Sequence, residues 1–233
     1  HTGLSGNTSY DWYVRADCGT DSSDWVGSST FTTIGNGIWV GGTSTDWNTG
    51  SNWSDGNIPD ETVDVIIPDV STNDPIIGAT ANCKNITINS DAFLTINASQ
   101  TLNIYGDFTN NGTYSANGTT AFKNAGTQTI SGNVTFADMY IELQLIVAIG
   151  AEMTIIPGSQ VKLKTGYNDV GPSFEDIGNI NRAFIDIRGK LIADGTSNNE
   201  ITFTREGTTG YWGIVVFNNS TYTSSISYCK FEY

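Results

Sequence analysis

The sequence has little material for the common catalytic centres. It holds one histidine, His1, and three cysteines, Cys18, Cys83 and Cys229. No Cys pair has ligand spacing, so the usual zinc sets, which draw nitrogen and sulfur ligands from short spacings, are excluded. Cations are scarce as well: 10 Lys and Arg stand against 24 Asp and Glu, for a formal net charge of −14. Such a polyanion repels nucleic acid and anionic membranes, because phosphate binding needs clustered Lys and Arg. Long apolar runs are missing too. A spanning helix needs about 20 consecutive apolar residues, and the most apolar stretch, Leu143 to Ile149, is strand-length and contains Gln144. It reads as a buried strand, and no membrane insertion is expected. No secretory leader precedes His1, so the expectation is a processed product or a piece of a longer chain.

Helix-forming windows rich in Ala, Glu, Lys and Leu are also absent. In their place are 26 Gly and abundant Asn and Thr, with only 15% charged residues. Gly and Asn punctuate turns, while Thr, Val, Ile and aromatics favour strands. The chain is therefore expected to be almost entirely β.

Two kinds of unit follow one another. In residues 1–33, Leu4 and Tyr10 precede an alternation at Tyr10, Trp12, Val14 and Ala16, and Trp25 and the strand Ser29 to Thr33 close the unit. Two strands with one buried face are not stable alone in water. From Gly37 onward the pattern changes. The apolar pairs Ile86/Ile88, Leu94/Ile96 and Leu102/Ile104 step regularly along the chain, and Met153/Ile155 and Val161/Leu163 repeat the pattern. Strands with two inward side chains suit a solenoid in which about three short sides make one coil and successive coils pair in parallel. Gly106, Gly112, Gly118, Gly126 and Gly132, with Asn110, Asn111 and Asn117, mark corners, where left-handed backbone angles are expected. One continuous stack is expected from about residue 63, of about seven or eight coils. Ile86, Ile88, Leu94, Ile96, Ile155, Leu163, Ile187, Phe203 and Val216 are expected inside it. The join between its short-step and long-step parts is placed between Asp138 and Gly150.

Residues 1–33 resemble the last two strands of a fibronectin type III domain of the kind found in Bacteroidetes surface proteins. The resemblance implies a tyrosine corner at Leu4 and Tyr10 and a cap at Trp25. Gly189 to Thr196, Ile201 to Thr204 and Trp212 to Phe217 resemble the turn and strands of right-handed parallel β-helix repeats in secreted Bacteroidetes proteins. Trp39, Gly41, Ser44 to Asn48, Asn52 and Trp53 are similar to a related surface-protein pattern. The implied fold is all-β, a right-handed parallel β-helix preceded by the last strands of a fibronectin type III-like β-sandwich. The implied division is 1–33 for the sandwich strands, 34–62 for a linker and Trp-rich cap, and 63–142 and 143–233 for two β-helix segments. It also implies a modular, adhesin-like protein at the cell surface or secreted, carried by type 9 secretion machinery.

Three cysteines leave at least one unpaired. With coils about 4.8 Å apart, Cys83 and Cys229 lie on the order of 30 Å apart, beyond the roughly 7 Å a disulfide spans between Cα atoms. They are expected to stay reduced in the stack, with any partner of Cys18 lying upstream. Calcium takes six to eight oxygens, often carboxylates and loop carbonyls. Acidic groups gather at Asp60, Asp64, Asp69 and Asp74, and again at Asp169, Glu175 and Asp176 in the loop 165–182, which is expected to project. Neither group matches a recognised calcium loop, and exposed Asp is ordinary in turns, so solvated turn chemistry is the preferred reading and calcium the alternative. No other cofactor is expected.

Trp39, Trp47 and Trp53 crowd together beside Asp46 and Asn52. Exposed indoles stack on sugar rings, which makes these residues glycan-binding candidates, but large aromatics also cover the open apolar end of a solenoid. The best basic cluster is Lys162 and Lys164 with Arg182, Arg188 and Lys190. It lacks the acidic array of the β-helix lyases and the paired carboxylates of the glycosidases. Outward charges also keep a solenoid soluble. The reading is a non-catalytic structural or adhesive module with no catalytic residue of its own. Surface glycans or other cell-surface proteins are its partners, and a carbohydrate-active β-helix or a glycan-binding module is the alternative.

Overall fold

In the computed structural model the described residues are 4, 8–33, 35–70, 72–124, 126–165, 183–207, 210, 212–218 and 221–232. Among them the secondary structure is β, apart from a single 3-10 turn at Gly50–Asn52. No helix of these residues is long and apolar enough to cross a membrane. Strands β1 (Ser9–Val14) and β2 (Val26–Thr32) pair antiparallel, with the Tyr10 and Phe31 rings stacked 5.9 Å apart. Trp12 and Trp25 are exposed on this hairpin, with the Arg15 guanidinium over the Trp25 ring.

The remaining strands are short and pair only in parallel. The chain visits three faces in turn. The first face carries β3 (Val65–Ile67), β6 (Ile86–Ile88), β9 (Phe108–Asn110), the first half of β12 (Thr127–Phe136), β14 (Gln144–Val147), β17 (Phe184–Ile187) and β20 (Val215–Phe217). The second carries β4 (Ile76–Ile77), β7 (Phe93–Ile96) and β10 (Thr113–Ala116). It continues with the second half of β12, β15 (Glu152–Ile155), β18 (Lys190–Asp194) and β21 (Ser225–Ser227). The third is an unbroken 7-stranded sheet: β5 (Ala81–Cys83), β8 (Thr101–Ile104), β11 (Thr119–Phe122), β13 (Met139–Ile141), β16 (Gln160–Leu163), β19 (Ile201–Arg205) and β22 (Cys229–Phe231). Consecutive pairs such as Ile86/Ile88, Leu94/Ile96 and Leu102/Ile104 thus lie on three different faces and point into one shared core.

The expected interior holds at Ile86, Ile88, Leu94, Ile96, Ile155, Leu163, Ile187 and Phe203, all buried. Val216 is a correction. It pairs with Asp186, whose neighbours Ile185 and Ile187 are the inward residues, so Val216 lies on the outer side and is only half-buried. Across Asp138 to Gly150 the ladders run on without a break: β13 joins β11 to β16, and β14 joins β12 to β17. Among the described residues the one gap lies a circuit earlier. On the second face β10 is not laddered to β12, and the Asn110 amide instead donates to the Asn133 carbonyl at 2.6 Å.

Corners follow a rule that the composition did not reveal. Turns at 89–92, 97–100, 148–151 and 156–159 are each closed by the last N–H donating to the first carbonyl. Their third residues, Asp91, Ser99, Gly150 and Gly158, are the left-handed ones. Gly106, Gly112 and Gly118 are not left-handed. A Cβ at Gly112 would stand 2.3 Å from the Asn89 carbonyl and 2.4 Å from that of Ala92, and Gly118 sits in the same way on the carbonyls of Asn97 and Gln100. These glycines rest on the corner of the preceding circuit, so close approach rather than dihedral freedom selects them. Gly132 meets both needs, with φ 80° and the Asn110 carbonyl under its missing Cβ.

Candidate functional site

The tryptophan cluster forms at one end of the stack. Trp39 donates its backbone N–H to Ile66 and Trp47 to Ile76, so their segment is laddered onto β3 and β4. The Trp53 ring meets Trp39 and Trp47 edge-on at 5.0 and 4.7 Å. Buried Asn52 organises the loop: its carbonyl accepts the N–H groups of Thr43 and Ser44, and its amide donates to Ser44 Oγ and the Asp46 carbonyl. All three indoles are at most 2% exposed. No ring face is open for a sugar to stack on, which corrects the glycan-binding expectation for Trp39, Trp47 and Trp53. Their burial with Val65 and Ile77 in one core is the arrangement of an end cap.

The acidic groups are spread apart. Asp60 accepts from the Thr62 N–H and hydroxyl, bonds that hold its carboxyl below the usual range. Asp64 accepts from the Asn85 amide and faces Lys84. Among the described residues no three Asp, Glu, His or Cys side chains converge as a metal site. Asp169, Glu175 and Asp176, like Arg182 and nearly all of the loop 165–182, lie outside the described residues. The cysteines are free: Cys18 is exposed, while Cys83 and Cys229 stand on the first and last strands of the third face. Burial pushes the Cys83 thiol up, far from thiolate chemistry.

The expected basic cluster divides. Arg188 and Asn218 clamp the buried Asp186 carboxylate on the first face, and Lys190 pairs with Glu152 on the second. Lys162 and Lys164 belong to the third face, where a denser group assembles. In line along the stack, just past the inward residues of the third-face strands, runs a row: Lys84, Tyr105, Lys123, Glu142, Lys164 and, in register beyond Arg205, Glu206. From Tyr105 onward each N–H donates to the preceding circuit, to the carbonyls of Cys83, Ile104, Phe122, Ile141 and Leu163 in turn. Lys164 pairs with Glu142 at 2.5 Å. Beside the row, the Tyr140 ring carries the Lys123 ammonium 4.0 Å from its centre and donates its hydroxyl to Glu206 at 2.8 Å. Partial burial and these carboxylates raise the Tyr140 pKa, so the phenol stays a neutral donor. Lys162 is exposed and in register with Tyr140.

Residues 38–140 match the family model described as Domain of unknown function (DUF8693). That span takes in the tryptophan cap, the row from Lys84 to Lys123, and Tyr140 itself. No curated protein and no solved structure matches the chain.

Of the row, the sequence reading singled out only Lys164, along with its neighbour Lys162. Lys84, Tyr105, Lys123, Glu142 and Glu206 went unnoticed because they lie far apart in sequence. Their signal is positional: each of the first five row members directly follows an inward residue, in Cys83–Lys84, Ile104–Tyr105, Phe122–Lys123, Ile141–Glu142 and Leu163–Lys164. Knowing which strands share a face turns that pattern into a row.

Proposed function

We propose that the chain is a non-catalytic structural and adhesive module of a large extracellular cell-surface protein. Its β-stack is read as a right-handed parallel β-helix, and β1 and β2 as the last strands of a fibronectin type III-like sandwich. The observation that carries this reading is the unbroken third face, with uniform inward packing and a polar outer surface. A stalk needs those properties and no convergent cleft. The tryptophan cap supports the boundary at 34–62, where the solenoid begins. Surface location and type 9 secretion rest on the sequence resemblance, and surface glycans or neighbouring surface proteins are the proposed partners.

A carbohydrate-active β-helix is the second reading, favoured by the gathering of Tyr140, Glu142, Lys164 and Glu206. Against it, the carboxylates and lysines of this group lie on an open outer surface and are already paired, whereas catalysis needs acid, base and substrate to converge. Incubating the chain with pectins, alginates and host glycans separates the two. Binding without turnover supports the module. Turnover lost in Lys162→Ala or Lys164→Ala would establish the enzyme instead.

A further inference from the structure

We infer that the third-face row binds an extended acidic polysaccharide that carries one carboxylate on every second sugar. This deepens the adhesive reading above and rests on it. Lys84, Lys123 and Lys164 occupy alternate rungs of one hydrogen-bonded row. With rungs about 4.8 Å apart, the backbone positions of successive lysines stand about 9.6 Å apart, about one extended disaccharide. The rungs between them are not cationic: Tyr105 offers a ring and a hydroxyl, Glu142 an acceptor for sugar hydroxyls. Tyr140 and Lys162 widen the row into a strip.

Lys84 and Lys164 are accessible and exchangeable, and Lys123 is half-buried with its ammonium on the Tyr140 ring. The Lys84 and Lys164 side chains are about half exposed; of their partners, Asp64 is exposed and Glu142 is partly buried. An exposed ion pair such as Lys84–Asp64 contributes little and is readily replaced. Elsewhere the molecule is strongly acidic, and between Arg15 and Lys84 there is no Lys or Arg at all. A polyanion therefore has few other places to settle.

Alternation also selects among polyanions. A single-stranded nucleic acid has a phosphate on every nucleotide and would meet Glu142 on the rung between Lys123 and Lys164. A uronate homopolymer has the same difficulty. A polymer of alternating uronate and neutral sugar presents charge only where lysines wait.

The test is calorimetric titration of the full chain with hyaluronan oligosaccharides long enough to span Lys84 to Lys164. Oligogalacturonate, a neutral cello-oligosaccharide and oligothymidylate serve as comparators. Hyaluronan is expected to bind best, more weakly as salt rises. Lys123→Gln should lower the affinity about fivefold and Lys123→Arg should restore it. Lys190→Gln, which removes the same charge from the second face, should leave it unchanged. Equal loss in Lys190→Gln, tighter binding of oligogalacturonate or oligothymidylate, or no hyaluronan binding would overturn the row. Attachment of the chain to glycan-coated or cell surfaces that survives Lys123→Gln would leave the adhesive reading standing without this site.

Discussion

Asn52 shows how much one polar side chain can hold in place. It is fully buried, yet each of its polar groups has a partner, and two of those are backbone N–H groups with no other acceptor in the loop. Asn52→Ala should lower stability by about 3 kcal/mol, since it strands buried donors rather than deleting a surface contact. Thermal or urea unfolding checks this. The corner glycines separate two reasons for glycine that composition cannot distinguish. Gly150 is left-handed and a Cβ there would meet only the Tyr222 hydroxyl, at 3.9 Å, whereas Gly112 has ordinary dihedrals but sits on two carbonyls. Asn tolerates left-handed angles, so Gly150→Asn should cost less than about 1 kcal/mol. Gly112→Asn should cost about as much as Gly112→Ala, on the order of 3 kcal/mol for forced overpacking. Equal costs at the two positions would contradict the distinction.

At the scale of the element, the strands were legible because their inward residues alternate with a short, constant reach. Ile86/Ile88 and Leu94/Ile96 need no context to be read as strand interiors. Val216 was misplaced because the run Val215, Val216, Phe217 is apolar throughout, and only pairing with Asp186 reveals its side. The row from Lys84 to Glu206 was not legible, since its members come together only after the corner lengths have set the register. The second-face gap was equally hidden, for nothing in Thr113–Ala116 or Asn133–Phe136 announces a missing ladder. That gap has a measurable signature. Amides of Asn133–Phe136 should exchange with solvent faster on average than those of β11 and β13, which are laddered on both sides. Hydrogen exchange read by NMR gives the comparison directly, and uniform protection would mean that the gap closes in solution.

For the molecule as a whole, the dominant electrostatic fact is imbalance. A net charge of −14, with no Lys or Arg between Arg15 and Lys84, means mutual repulsion between carboxylates that the few local pairs, such as Asp64 with Lys84, relieve only in part. Raising the ionic strength from about 0.01 M to about 0.15 M shortens the screening length from about 30 Å to about 8 Å. The melting temperature should therefore rise over that range, the reverse of what surface salt bridges alone would give. A fall would show that pairs such as Lys164–Glu142 outweigh the repulsion.

The gap between β10 and β12 also decides how the molecule yields to force. Bonds between circuits run along the stack, so a pull on its two ends loads them one rung after another instead of all together. At most rungs three faces share that load. At the gap two ladders and the Asn110 amide carry it, and the stack should tear there first, leaving the tryptophan-capped circuits on one side as a separate piece.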